Sequence, residues 1–405
     1  MRYDIIIVGG GLVGGLLGRS LGLLGFSVAV VDQAPPPAEQ TPDLRTTAVA
    51  ASSKALLDQH GIWASIADQA EPIVTILTKD GAENTPQKTC ITYESRTLPI
   101  PEPLGYMVSN FLLRESIYET AVATPGVTWM SRCQPTALET GAHHTVLHTS
   151  QGTLQAPLLV GADGKDSWVR SQLGIFCRRR SYDQIAMITV CSHPAEHLGV
   201  AVELFTPDGP LAVLPMRQQQ SAIVWSVRSS IMEALKDASD EDVAEALNKL
   251  HKDHRGPLTI AAPRKYYPLG LTVPHCTIGL RTCLVGDAAH CLHPIAGQGV
   301  NVGFRDVAGL VETLSEARTL GLDIGSQQVL QTYRTKRRLD QATMALVTDG
   351  LVRLFGHPSW ALSKIRQRSM QVVEHFPWLK QRMMRHAMGY TSTQNELLKP
   401  NASRI

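Results

Sequence analysis

The sequence predicts an α/β fold with a Rossmann-like dinucleotide layer, an inserted and mostly antiparallel β-sheet, and a helical C-terminal tail. Three observations predict it. The chain opens on an apolar run, Asp4 to Val8, that enters the glycine turn Gly9-Gly10-Gly11-Leu12-Val13-Gly14. Two later apolar triplets, Leu158-Leu159-Val160 and Cys283-Leu284-Val285, each run into an acidic turn. Runs of alternating or β-branched residues at Ile73 to Thr78, Met187 to Cys191, Val200 to Phe205, Leu211 to Leu214 and Ala222 to Val227 supply the strands of the inserted sheet.

The first element is a strand, turn, helix and strand. Gly9, Gly11 and Gly14 permit the tight turn, backbone approach to a pyrophosphate and close helix packing, and Val28 to Val31 ends at Asp32, placed to accept from an adenosine ribose hydroxyl. Ile5 to Val31 is almost continuously apolar and sits where a signal peptide would. Glycines crowd it, however, Asp4 precedes it, and Asp32 ends it without a small-residue cleavage site, so the dinucleotide reading is favoured. No other stretch reaches about 18 apolar residues, and no membrane crossing is expected.

Pro35-Pro36-Pro37 through Pro42 reads as a loop, and Thr47 to His60 as a helix ending near Gly61. Ile231 to His251, rich in Ala, Leu, Glu, Asp and Lys, reads as another helix. In the third nucleotide signature, Gly286-Asp287 closes a short strand and Pro294 to Gly299 opens onto a helix. A loop of that kind aims several backbone N–H groups one way, and a helix start attracts negative charge such as that of a reduced isoalloxazine ring.

Bulk properties narrow the function. A net charge of +2 argues against nucleic-acid binding. The seven cysteines are an odd number, widely spaced and without a CxxC pair, which suits reduced, mostly buried cytosolic thiols. His290, His293, Cys291 and Cys283 cluster but match no zinc spacing, so no metal is expected. There is no GxSxG elbow to supply a hydrolase nucleophile.

With Gly161-Ala162-Asp163-Gly164 lying between the N-terminal glycine turn and the Gly286-Asp287 turn, the chain resembles the class A flavoprotein monooxygenases of the aromatic-hydroxylase fold. Within them it is most similar to the ubiquinone-biosynthesis hydroxylases. Leu44 to Val49, Gly105 to Asn110, Gly209 to Pro215, Leu292 to Gly299, Thr348 to Phe355 and Arg385 to Gly389 carry the likeness, which covers nearly the whole chain.

The resemblance implies an FAD-binding domain of glutathione-reductase type, with Gly9, Gly11 and Gly14 on the pyrophosphate and Asp32 on the ribose. It places Arg45 and Arg114 against the cofactor, Asp163 between FAD and the pyridine nucleotide, and Asp287 on the ribityl or pyrophosphate. Pro294, Gly297, Gln298, Gly299 and Asn301 would lie along the ring. Asp32 stands where the family more often has glutamate, Ser109 where an acid is common, and Arg114 where a glutamine is frequent. Interleaving of the motifs implies a discontinuous FAD-binding domain (1–71, 105–176 and 275–345), a substrate domain (72–104 and 177–274) and a helical C-terminal region (346–405).

The implied activity is hydroxylation of a polyprenylated phenol or quinol in ubiquinone biosynthesis, with NAD(P)H as reductant, FAD as cofactor and O2 as oxidant through a flavin C4a-hydroperoxide. No general base can be named from the sequence. The competing readings are a hydroxylase of a small soluble aromatic, an isoprenoid flavin reductase, and a flavin-binding scaffold of a quinone-synthesis complex. Seven Lys or Arg against one acid, Glu374, between Arg353 and Arg385, interleaved with Trp360, Phe376 and Trp378, suit an anionic bilayer or other quinone-biosynthesis proteins meeting residues 350–390. A helical tail docked on the core with a solvated basic face is the plainer alternative. A cytoplasmic protein, peripheral at the inner membrane surface, is the expectation.

Overall fold

The computed structural model describes residues 1–41, 43–81, 90–98, 101–293, 295–356 and 360–390. Its first layer is a six-stranded sheet in the order Ile278–Gly279, Thr282–Leu284, Leu158–Gly161, Ile5–Val8, Val28–Val31, Val127–Met130. Ile5–Val8 lies at its centre, parallel to both neighbours. These strands are covered on two faces, which is why they read as unbroken apolar runs rather than alternating ones. Ile5, Ile7, Val28, Val30 and Val160 pack with Leu16, Ile117 and Phe304 of the helices Leu12–Leu23, Asn110–Val122 and Gly299–Thr319. Ile6, Val8, Ala29, Val31 and Leu159 face the other way, onto Leu138, Leu147 and Leu154 of a three-stranded antiparallel sheet.

The second layer is an eight-stranded sheet that runs Thr259–Ile260, Cys177–Ser192, Gln220–Arg228, Gly209–Met216, Val200–Thr206, Thr75–Asp80, Cys90–Glu94, with Lys265–Pro274 also paired to Cys177–Ser192. Its pairs are antiparallel except for Val200–Thr206 against Thr75–Asp80. Side chains alternate across it. Val202, Leu204, Leu211, Val213, Ile223 and Trp225 meet Met232, Val243 and Leu247 of two covering helices, so the opposite face is left for Ala201, Glu203, Phe205, Ala212, Leu214 and Val224.

Several local expectations are corrected. Thr47 to Ala50 is not helix: Thr46–Ala50 pairs antiparallel with Gly105–Ser109, and the helix begins at Ala51. The Ile73 to Thr78 run is two strands, since Glu71–Ile73 joins that small sheet and Thr75–Asp80 joins the large one. Ile231 to His251 is two helices, Ser229–Lys236 and Asp240–Leu250, because Ser239 stops the chain and caps the second by accepting from the Asp242 N–H at 3.1 Å. Of the cysteines, Cys133, Cys191 and Cys283 are buried and the other four half-buried. The proline loop contains one short helical turn, Pro37–Glu39.

Candidate active site

The Rossmann turn is built as its glycines require. Gly9 has a φ of +105°, and a Cβ there would lie 2.4 Å from the Ala162 carbonyl oxygen. A Cβ on Gly14 would come within 1.9 Å of the Gly9 oxygen, so helix and strand meet through bare backbone. Above Gly11 the space is open, with no atom within 4 Å of where its Cβ would be. Asp32, buried at the end of the second strand, accepts from the Ala34 N–H at 3.0 Å and pairs with Arg114 at 3.3 Å. Arg114 also donates to Gln40 at 2.7 Å, while its Nε is buried without a protein partner.

The second end of the site is the turn Gly286–Ala288 and the loop Ile295–Gly297 that feeds the helix Gly299–Thr319. Asn301 holds this loop to the small sheet: its Oδ1 accepts from the Ala50 N–H at 2.9 Å, and its Nδ2 donates to the carbonyls of Ala48 at 2.8 Å and Gly297 at 3.1 Å. Its polar atoms are thus spent on positioning. Arg45 pairs with Asp43 and reaches over the Tyr267 ring, 5.7 Å from its centroid. Asp287 opens into the cavity; enclosure pushes its carboxyl up, while His290, Arg45 and Lys165 pull it back.

Asp163 spends both carboxylate oxygens within its own segment. Its Oδ1 accepts from the Ser167 hydroxyl at 2.5 Å and its Oδ2 from the Val169 N–H at 2.9 Å, so the carboxylate caps its own turn. Pro294 lies outside the described residues.

A buried charge network under the Gly286–Ala288 turn went unseen in the sequence. Asp306 accepts from the Gly286 N–H at 3.0 Å, His290 at 2.5 Å, Arg337 at 2.8 Å and Gln341 at 2.9 Å. Burial pushes its carboxyl up, but His290 and Arg337 outweigh this and hold it well below the usual carboxylate range. Asp340 accepts from Arg337 at 2.6 Å and Arg305 at 2.9 Å. The one legible signal was the spacing of Arg337, Asp340 and Gln341, which share a helix face.

Between the loops and the large sheet lies a cavity of about 1860 Å³. Arg45, Asp287, Gly297, Gln298 and Gly299 line one end, and Ala212, Leu214, Val224 and Glu203 line the sheet wall. Along the strand Gly209–Met216 it is the alternate residues Ala212 and Leu214 that supply this wall. The cavity reaches Trp378, Leu379, Arg382 and Met383 of the last helix, Pro377–Ala387. His293 is also on the wall, but its Nδ1 accepts from the Ile295 N–H at 3.3 Å and its Nε2 donates to Gln184 at 3.2 Å. Burial holds its pKa down at about 4, so it is a neutral ring with both nitrogens occupied.

The tail is docked and exposed at once. Val352, Phe355, Met370, Met384 and Met388 are buried, and Phe355 stacks on Phe205 at 3.8 Å. Val372, Phe376, Trp378 and Met383 remain exposed, in company with Arg368, Arg382 and Arg385. Among the described residues, no helix is long and apolar enough to cross a membrane, and no group of His, Cys, Asp or Glu is placed to hold a metal.

Residues 2–347 match the FAD binding domain family. The chain is 39% identical over 389 residues to ubiquinone hydroxylase UbiL of Rhodospirillum rubrum, which covers 95% of this chain and 89% of that protein. It is 31% identical over 393 residues to 3-demethoxyubiquinol 3-hydroxylase of Escherichia coli strain K12, covering 95% and 98%. Among solved structures, PqsL of P. aeruginosa in complex with 2-aminobenzoylacetate superposes with a TM-score of 0.79 at 19% identity, covering 92% of this chain and 100% of that one, a likeness of fold.

Proposed function

The chain belongs to the FAD binding domain family and is an FAD-dependent aromatic-ring monooxygenase, and from that premise we propose that it hydroxylates a polyprenylated phenol or quinol of ubiquinone biosynthesis. The observation that carries the substrate class is the reach of the cavity: it runs from the Asp287 and Gly297 loops, along an apolar sheet face, to the exposed Trp378 and Met383. A small soluble aromatic needs no such length.

The residues present fit FAD. Open space above Gly11, at the start of a helix, suits a pyrophosphate, and Asp32 with the unpartnered Arg114 Nε suits the adenosine end. In this reading Gly9, Gly11, Gly14, Asp32 and Arg114 hold the nucleotide half, Asp287 and Arg45 the middle, and Pro294, Gly297, Gln298 and Gly299 the ring, with Asn301 fixing the loop. Bound FAD supplies electron transfer from NAD(P)H and the activation of O2. The protein's own work is to orient the phenol, exclude water and set charge along the ring edge. The N–H groups at the start of Gly299–Thr319 would favour negative charge on a ring held there, and Phe205, Phe355 and Ile295 give the inner cavity an apolar wall that would exclude water.

The exposed Val372, Phe376, Trp378 and Met383 with their basic neighbours support a peripheral seat on an anionic bilayer, from which a prenyl tail would enter the cavity, or contact there with other quinone-biosynthesis proteins. The test is aerobic turnover of the FAD-loaded protein with NADH or NADPH and a short-chain prenylphenol under 18O2, following product mass and H2O2 together. A product one labelled oxygen heavier, formed in step with reductant use, is expected. Reductant consumed solely into H2O2 across a series of prenylphenols would overturn the substrate class.

A further inference from the structure

We propose that Glu203 is the catalytic residue that holds the ring hydroxyl of the phenolic substrate and takes up its proton as the ring is oxygenated, an inference that rests on the phenol reading above. Glu203 lies in the strand Val200–Thr206 and lines the cavity. Ala201 and Phe205 share its face. Ala201 packs in one cluster with Ala48 and Met107 of the small sheet, and Phe205 packs in another with Ile295 of the loop that carries Gly297. Ala48 itself lies where a Cβ on Gly297 would come within 3.1 Å. Glu203 is therefore set between the two points where the sheet meets the residues that fit the flavin ring.

Its surroundings give no structural reason for a carboxyl. Across the strands it faces Thr78 on one side and Ala212 on the other, followed by Val224 and Ile188. No described residue gives it a hydrogen bond or an ion pair. A lone carboxylate walled by apolar groups is costly, and such a group facing a cavity is a functional-site signature. The adjacent strand places Asp80 opposite Phe205 on the same face. The cavity also carries Tyr93, Asp287, Arg45, His293, Arg305 and Glu312, with Arg382, Arg385, His386 and Tyr390 at the tail. The helix Gln327–Gly356, which packs on the Glu203 strand, brings Lys336, Arg337 and Asp340 to the cavity and carries Asp349, tied to Arg180, Tyr182 and Arg353. None of these shifts it; burial alone raises the Glu203 carboxyl to about 7.

That setting matches the task. A general base works best with a pKa near the working pH, and a phenol hydroxyl, ordinarily near 10, becomes far more acidic as its ring gives electrons to oxygen. The other wall groups are poorly placed to compete: His293 has both nitrogens occupied, and burial with the Glu374 charge pushes the Tyr93 hydroxyl up to about 12. The phenol O–H proton passes to the Glu203 carboxylate as the ring carbon bonds one atom of O2, which becomes a hydroxyl with one solvent proton, and the O–O bond breaks. When the C–H proton leaves and aromaticity returns, the carboxyl gives its proton back to the ring oxygen. The second oxygen atom leaves as water, carrying the displaced C–H proton and the hydrogen from NAD(P)H, which supplies both electrons.

The test compares the FAD-loaded wild type with Glu203→Gln and Glu203→Leu. Product formation from a short-chain prenylphenol is read from about pH 5.5 to 9, and the visible FAD spectrum is titrated with the phenol and with its O-methyl ether. The wild type should lose turnover as pH falls below about 7, where Glu203 is protonated, whereas Glu203→Gln should be slower by about 100-fold or more and lack that limb. Glu203→Leu should lose the preference for phenol over methyl ether. A Glu203→Gln protein within about threefold of wild type with the same acid limb would overturn the proposal, well below the loss a general base carries. If the wild type makes no oxygenated product, the hydroxylase reading fails by itself. Glu203 is then judged on the optical titration, where an unchanged phenol preference in Glu203→Leu overturns it.

Discussion

His290 Nε2 lies 2.5 Å from Asp306 Oδ2, with both side chains buried, and the same oxygen accepts the Gly286 N–H at 3.0 Å. One carboxylate thus fixes both ends of the turn that presents Asp287 and anchors it to Arg337 on a separate helix. Asp306→Ala leaves Arg337 and His290 without this partner, and we expect a loss of roughly 3–5 kcal/mol in denaturant unfolding. Asp306→Asn, which keeps the shape, should unfold later but retain FAD more weakly than wild type after gel filtration. Because the folded Asp306 sits below its ordinary value of 3.8, its contribution is complete above that pH and is lost as the pH falls from there towards the folded value. The wild-type protein should therefore show an acid unfolding limb that Asp306→Asn lacks.

The two glycines at positions 11 and 14 separate binding from folding. At Gly14 a new Cβ would meet the Gly9 carbonyl at 1.9 Å, so Gly14→Ala should lower the melting temperature of the apoprotein. At Gly11 nothing stands within 4 Å, so Gly11→Val should leave the apoprotein fold near its wild-type stability and abolish FAD retention by filling the space a pyrophosphate needs. A yellow, fully loaded Gly11→Val protein would refute the N-terminal assignment. Asp287→Ala should weaken retention without abolishing it, measured by equilibrium titration of apoprotein with FAD.

Glu203 carries a stability signature independent of turnover. Its folded value of about 7 exceeds the 4.5 of a free glutamate, so the folded state holds the extra proton between these values. Stability is greatest below 4.5, falls as pH rises to about 7, and stays low above it. Full ionisation costs the fold roughly 3 kcal/mol. Glu203→Gln should flatten that decline, so that its unfolding free energy changes less than wild type's between pH 5 and 8. Parallel pH curves for the two proteins would show that Glu203 ionises freely in the fold.

What the sequence revealed was what is local. The turn at Gly9 to Gly14 is legible because four glycines within six residues, three of them at the 9, 11 and 14 spacing, answer one backbone problem, and the buried strands are legible because double-sided burial leaves an apolar run. Thr47 to Ala50 misled because it runs without a break into the helix Ala51–Gln59, although Thr47 and Val49 suit a strand, and the pairing with Gly105–Ser109 that makes it one is set about sixty residues away. The acidic turn at Asp163 was legible, whereas the groups that its carboxylate accepts from, Ser167 and Val169 at the start of the next helix, show only in the fold. Glu203 gave no signal, since an acid within an apolar strand reads as a solvent-facing residue until register shows which face is covered. Asp306 was hidden for a similar reason: Arg337, its partner, is 31 residues on and in another helix.

Phe376 is 48% and Trp378 64% exposed, next to a cavity mouth and beside Arg382 and Arg385, while Met370, Met384 and Met388 hold the same helices to the core. The apolar residues that dock the tail and those that remain outside are thus different sets, and the outside set can be changed alone. Phe376→Ser with Trp378→Ser should leave FAD content and melting temperature near wild type, and lower co-sedimentation with anionic vesicles by about tenfold, as expected for the loss of one to two kcal/mol of interfacial burial. Raising salt should weaken the remaining binding, because the arginines act through screened charge. If the double variant sediments as wild type does, the exposed face serves some contact other than lipid.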